Sequence, residues 1–132
     1  MITIDEFKKI EITVGEILEA EKVSETDKLL KLKVNFGLKP SSLKLEEGSP
    51  DRSQEENGLG NEDIRQIISG IAGYFPNEKD LVGKKCMFVT NLEPRIIRGL
   101  ESQGMILALS TDDGRFALLY PSVDMPAGTK AK

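Results

Sequence analysis

From Glu11 to Val34 the chain reads with a period of two. Ile12, Val14 and Ile17 form one apolar row, and Leu30, Leu32 and Val34 form another, set between Lys31 and Lys33. Such alternation puts one row of side chains in a core and the next in water, which suits a half-buried strand and not a helix. Each apolar face then needs a second layer to cover it, so the fold class is all-β. Gly15 interrupts the first run where a bulge or barrel bend fits. Ser24-Glu25-Thr26-Asp27 supplies the turn between the runs.

Helical signals are short. Thr3-Ile4-Asp5-Glu6 is a capping box, with Ile2 and Phe7 placed as a staple, and predicts a helix ending near Ile10. Asn77 caps a second, over residues 78–82, with Gly83 in the C′ position. Further strands are expected at Arg65–Ala72, Lys85–Leu92, Met105–Ser110 and Phe116–Tyr120, the last two joined by the turn Asp112-Asp113-Gly114. Residues 38–63 are rich in Gly, Ser, Pro and acids and read as an insertion loop, with Leu43 and Leu45 as a small strand or a docking pair. Five to seven strands with a small helix between the third and fourth predict a five-stranded oligonucleotide/oligosaccharide-binding (OB) barrel with short helices and a C-terminal extension. At 132 residues it is one domain, 1–132. A sandwich is the alternative, although its regular strand spacing is not clearly present.

Chemistry is narrowed by what is missing. The chain has no histidine and one cysteine, Cys86, which sits in the apolar run Lys85-Cys86-Met87-Phe88-Val89 as a buried, inert thiol. Thiol and serine triads and transition-metal sites lose their usual residues, and no metal or cofactor is expected. Gly58-Leu59-Gly60 is a flexible turn and not a phosphate loop. No apolar run reaches the ~20 residues of a membrane span, and nothing reads as a signal peptide, so a reducing cytoplasm fits. The net charge of −4 is unevenly placed: residues 39–63 hold seven acids and three bases, leaving fifteen of each elsewhere. The remainder is neutral and free to present a basic face to nucleic acid.

One stretch resists the strand reading. NLEPRIIRGLESQGMILAL, residues 91–109, sets Pro94, Arg95, Arg98, Gly99, Glu101, Gln103 and Gly104 between apolar residues. Together with Val14-Gly15-Glu16-Ile17, Asp27 to Leu32, Arg65 to Ala72 and Leu81-Val82-Gly83-Lys84, it resembles the tRNA-binding OB domain. That domain ends bacterial methionyl-tRNA synthetases, stands alone as structure-specific tRNA-binding proteins and occurs in cytokine-like synthetase cofactors. The Ser102-Gln103-Gly104-Met105 element is the most specific part. The resemblance implies tRNA as partner and a non-catalytic role assisting a methionyl-tRNA synthetase. It makes Asn91, Ser102 and Met105 groove residues and Lys31, Lys33, Arg65, Arg95 and Arg98 candidate phosphate contacts. It also implies a homodimer through the N-terminal helix and the C-terminal extension, with Ile4, Phe7, Leu118, Leu119, Tyr120 and Val123 as apolar residues beyond what one barrel buries.

Blander readings stand beside these. Gly99 and Gly104 fit barrel bulges, Met105 fits a core strand, and Lys31 and Arg65 fit a solvated face. Phe36, Tyr74 and Phe75 are the mid-chain aromatics, too few for a strand-long stacking platform, which favours recognition of a folded RNA. The chain departs from the family in lacking a proline before Asp27 and in its larger acidic insertion. Export-associated chaperone-like proteins share the fold and give a protein-interaction alternative, but typically lack the Gln-Gly-Met portion. Whether the chain is free-standing or the end of a longer synthetase stays open.

Overall fold

A computed structural model describes residues 1–38 and 61–132. The alternating runs become strands whose register follows their apolar rows. β1 (Ile12–Lys22) pairs antiparallel with β2 (Leu30–Leu38) along one edge and β4 (Lys85–Val89) along the other. β3 (Glu62–Ser69) lies against β2, and β7 (Met105–Ile106) lies against β4. The resulting sheet, in the order β3-β2-β1-β4-β7, curls into an OB-like half-barrel.

Leu30, Leu32, Val34, Ile67, Leu81 and Phe88 are fully enclosed inside the curl. Each such side chain contributes about 1.5–3 kcal/mol through the area it removes from water. Phe36 meets Phe88 edge-on at 5.2 Å. Two 3₁₀ turns, Ala72–Tyr74 and Glu78–Leu81, stand between β3 and β4, where the barrel pattern requires a helix. Asn77 caps the second by accepting from the Lys79 N–H, and Leu81 enters the core.

Several boundaries differ from the sequence reading. Gly15 sits in regular pairing, and the register shift falls between Ile17 and Glu19. Its glycine has another cause: a Cβ there would lie 2.6 Å from side-chain carbons of Phe36 and Val34. The strand expected to reach Leu92 ends at Val89. The strand expected over Met105–Ser110 divides into β7 and β8 (Ala108–Ser110), the latter pairing with β9 (Phe116–Leu118). Leu38 and Glu62 at the ends of the expected insertion are strand residues. The proposed pair Leu43 and Leu45 lies outside the described residues.

The N-terminal helix α1 (Ile4–Phe7) has both halves of its capping box, and buries no residue. The C-terminal extension runs beside β1. The Val14 N–H donates to the Thr129 carbonyl, Gly128 N–H to the Val14 carbonyl and Ala131 N–H to the Ile12 carbonyl. It occupies the part of the β1 edge that β2, first paired at Glu16, leaves open. No helix among the described residues is long and apolar enough to cross a membrane.

Candidate nucleic-acid interface

The stretch that resists the strand reading forms a hairpin followed by a seam. β5 (Arg95–Ile97) and β6 (Leu100–Ser102) pair antiparallel with Ile97 opposite Leu100, so Arg98 and Gly99 alone make the turn. Both have positive φ, 54° and 81°. That is the pattern of a type I′ turn, whose twist matches the flanking strands.

Immediately after the hairpin the chain closes on β3. Gln103 N–H donates to the Gln66 carbonyl at 2.8 Å, and the Gln103 side-chain oxygen accepts the Gln66 N–H at 3.0 Å. Ser102 Oγ accepts the Ile68 N–H at 2.9 Å and donates to the Gly104 carbonyl at 3.0 Å. Gln66 Nε2 adds a bond to the Glu101 carbonyl. Gly104, at φ 154°, is tightly placed: a Cβ would lie 2.9 Å from Ile67 Cδ1 and 3.0 Å from the Val89 carbonyl oxygen. The polar residues therefore replace the ladder bonds that a continuous strand would supply.

Arg65 ties the same region together. Its guanidinium forms a two-point ion pair with Asp63 at 3.0 Å, donates to the carbonyls of Thr90 and Gln103, and lies over the Phe36 ring. Asn91 is exposed but occupied: its side chain accepts the Glu11 N–H at 2.8 Å and donates to the Lys9 carbonyl. Ser102 is 4% exposed. Two expected groove residues, Asn91 and Ser102, and one expected phosphate contact, Arg65, thus have their hydrogen-bonding groups engaged within the fold.

The others face solvent. Lys31 and Lys33 project from β2 into a cleft of about 360 Å³ bordered by Gln66, Gln103, Glu19 and Glu21. Lys31 pairs with Glu21 at 2.7 Å, and Lys33 with Glu19 at 3.6 Å. The hydrogen bond and positive charge of Lys31 hold the Glu21 carboxyl below its ordinary range. Exposed pairs of this kind stabilise little. Arg95 and Arg98 are exposed on the hairpin and have no ion-pair partner among the described residues. Met105 is 47% exposed, which removes the plain-core reading for it.

Residues 56–130 match the family described as "Putative tRNA binding domain". The chain belongs to the tRNA-binding domain family. It is 42% identical over 129 residues to a methionine–tRNA ligase of Caldanaerobacter subterraneus subsp. tengcongensis, covering 98% of this chain and 16% of that protein. The chain thus spans about a sixth of the curated relative's length. Among solved structures it is similar to the MetRS related protein from Pyrococcus horikoshii, with TM-score 0.76 and 34% identity over 100% of this chain and 98% of that one. It is also similar to the CsaA chaperone protein from Picrophilus torridus, with TM-score 0.72 and 26% identity over the whole of both chains.

Within this tRNA-binding domain, sequence reasoning gave no role to Asp63, Gln66 and Thr90, and named Gln103 only as part of the Ser-Gln-Gly-Met element. Gln103 carried a signal, being a polar side chain directly before a glycine and an apolar strand. Asp63 and Gln66 carried none, because their partners lie across the barrel. Ile96, 69% exposed between the two hairpin arginines, was also missed.

Proposed function

We propose that this domain binds folded tRNA without catalysing a reaction, using the outer face of β1–β3 together with the β5–β6 hairpin. In this reading Lys31, Lys33, Arg95 and Arg98 meet phosphates, and Met105 offers an adaptable apolar surface. Arg65, Asn91, Ser102 and Gln103 hold that surface in place. The observation that carries the reading is the hairpin: two exposed arginines without ion partners among the described residues, mounted on a hydrogen-bonded seam. Family membership and the methionine–tRNA ligase relatives support tRNA as partner and assistance of a methionyl-tRNA synthetase, in the cytoplasm, as the setting.

The testing experiment is a tRNA titration at about 50 and 200 mM salt, where counterion release makes affinity fall steeply for each phosphate neutralised. Arg95→Ala and Arg98→Ala should each weaken every tRNA similarly and reduce the log–log salt slope by about 1. A salt-insensitive interaction, or none at low salt, would sink the reading. The protein-interaction alternative, which the likeness to the CsaA chaperone protein keeps in view, would then take its place.

A further inference from the structure

Tyr74 ends the 3₁₀ turn Ala72–Tyr74 and stacks flat on Phe116 of β9, with ring centroids 4.0 Å apart and planes 7° from parallel. Phe75 meets Phe116 edge-on at 5.9 Å. One face of the tyrosine ring is therefore covered, yet the residue is 49% exposed. Phe116 covers one ring face, so the exposure lies elsewhere on the residue. Covering Phe116 alone does not call for an aromatic side chain, since a leucine would exclude water there equally well.

Two lysines belong to the segments that pack against this turn. The Ala72 N–H donates to the Lys28 carbonyl at 2.9 Å, which places Lys28 beside the turn. The Lys22 ammonium donates to the Pro76 carbonyl at 3.1 Å, two residues past Tyr74. Neither lysine has a carboxylate partner among the described residues. Asp27 precedes Lys28 and Glu78 follows Pro76 by two residues in the chain, and both carboxylates moderate the attraction of this region for phosphate. None of these residues lines the cleft beside Lys31 and Lys33.

We propose that Tyr74, backed by Phe116 and with Lys22 and Lys28 on the segments against its turn, is a stacking site for one unpaired nucleobase of a single-stranded RNA segment. Every nucleobase has a π-face, so such a platform accepts any base, and adjacent lysines hold the phosphates on either side. Because Phe116 already fixes the ring, little side-chain freedom is lost on binding. The site goes beyond the tRNA-binding reading and does not need the hairpin.

The chain has two tyrosines and no tryptophan, so Tyr120→Phe leaves Tyr74 as the lone emitter. Titrating that variant at low salt with an adenylate tetranucleotide should quench the emission saturably. Adding Arg95→Ala and Arg98→Ala should leave the quench intact, which separates failure here from failure of the hairpin reading. Tyr74→Leu, which still covers Phe116, should weaken binding of the same labelled tetranucleotide about tenfold, whereas Tyr74→Phe should retain it. Emission indifferent to the oligonucleotide overturns the proposal, as does a Tyr74→Leu variant that binds like the parent. Quenching by a proline-rich peptide but not by RNA also overturns it and makes the surface a peptide site.

Discussion

Arg98 holds a left-handed backbone conformation that L residues other than asparagine and aspartate rarely adopt. Arg98→Asn should therefore raise stability by about 1 kcal/mol in urea unfolding while weakening tRNA, opposite signs that a merely structural turn residue would not show. Ser102 makes the contrary case. Ser102→Ala strips a buried N–H of Ile68 of its acceptor, and should lower stability by about 1–3 kcal/mol with the salt slope of tRNA binding unchanged. Burial pushes the Cys86 thiol up to about 11 from its ordinary 9.0, against a small opposing pull from Lys84. Its folded state thus holds the proton more tightly than the unfolded chain. That contribution to stability is complete below pH 9 and is lost as pH rises toward 11. Relative to Cys86→Val, the parent should lose urea resistance over that window, and its thiol should resist a disulfide reagent at pH 8 until the protein unfolds.

At the scale of elements, the strands with period two were legible because one face of each is buried and fixes the register. Gly15 was legible as special, but its reason was not, since the Phe36 and Val34 side chains it accommodates lie on another strand. The Ser-Gln-Gly-Met element was legible as an interruption, and its work in closing the barrel was hidden because Gln66, Ile68 and Arg65 are distant in sequence. Arg65 shows the consequence most clearly. Read as a residue it is a phosphate contact; read within its elements it joins β3 to the ends of β4 and β6 through Thr90 and Gln103. Arg65→Lys keeps the charge but not the planar fork that reaches Asp63 and two carbonyls at once. It should lower the unfolding midpoint and tRNA affinity together while leaving the salt slope of tRNA binding as it was. A normal midpoint with a reduced slope would return Arg65 to the phosphate contacts.

Across the whole molecule, the exposed apolar residues include several at each end of the chain. Ile2 and Ile4 are 64% and 65% exposed, and Tyr120 and Val123 are 51% and 61% exposed. Of the other residues expected to be in excess of the barrel's needs, Leu118 is in the core, and Phe7 and Leu119 are half-buried. Residues 128–131 meet the segment after α1 on one side of the barrel. Asn91 and Thr90 fasten the segment after α1, and the C-terminal extension pairs with β1, where Lys130 reaches Glu11 at 2.8 Å. Exposed apolar residues at both termini are suited to self-complementary contact about a twofold axis. We propose a homodimer formed there. Light scattering at micromolar concentration should give twice the mass of the chain, and Ile4→Glu with Val123→Glu should halve it without lowering the cooperativity of unfolding. Because those residues contribute nothing to the barrel interior, a variant that unfolds instead of separating would show that the termini stabilise the single subunit, and a parent that scatters as a monomer would remove the dimer altogether.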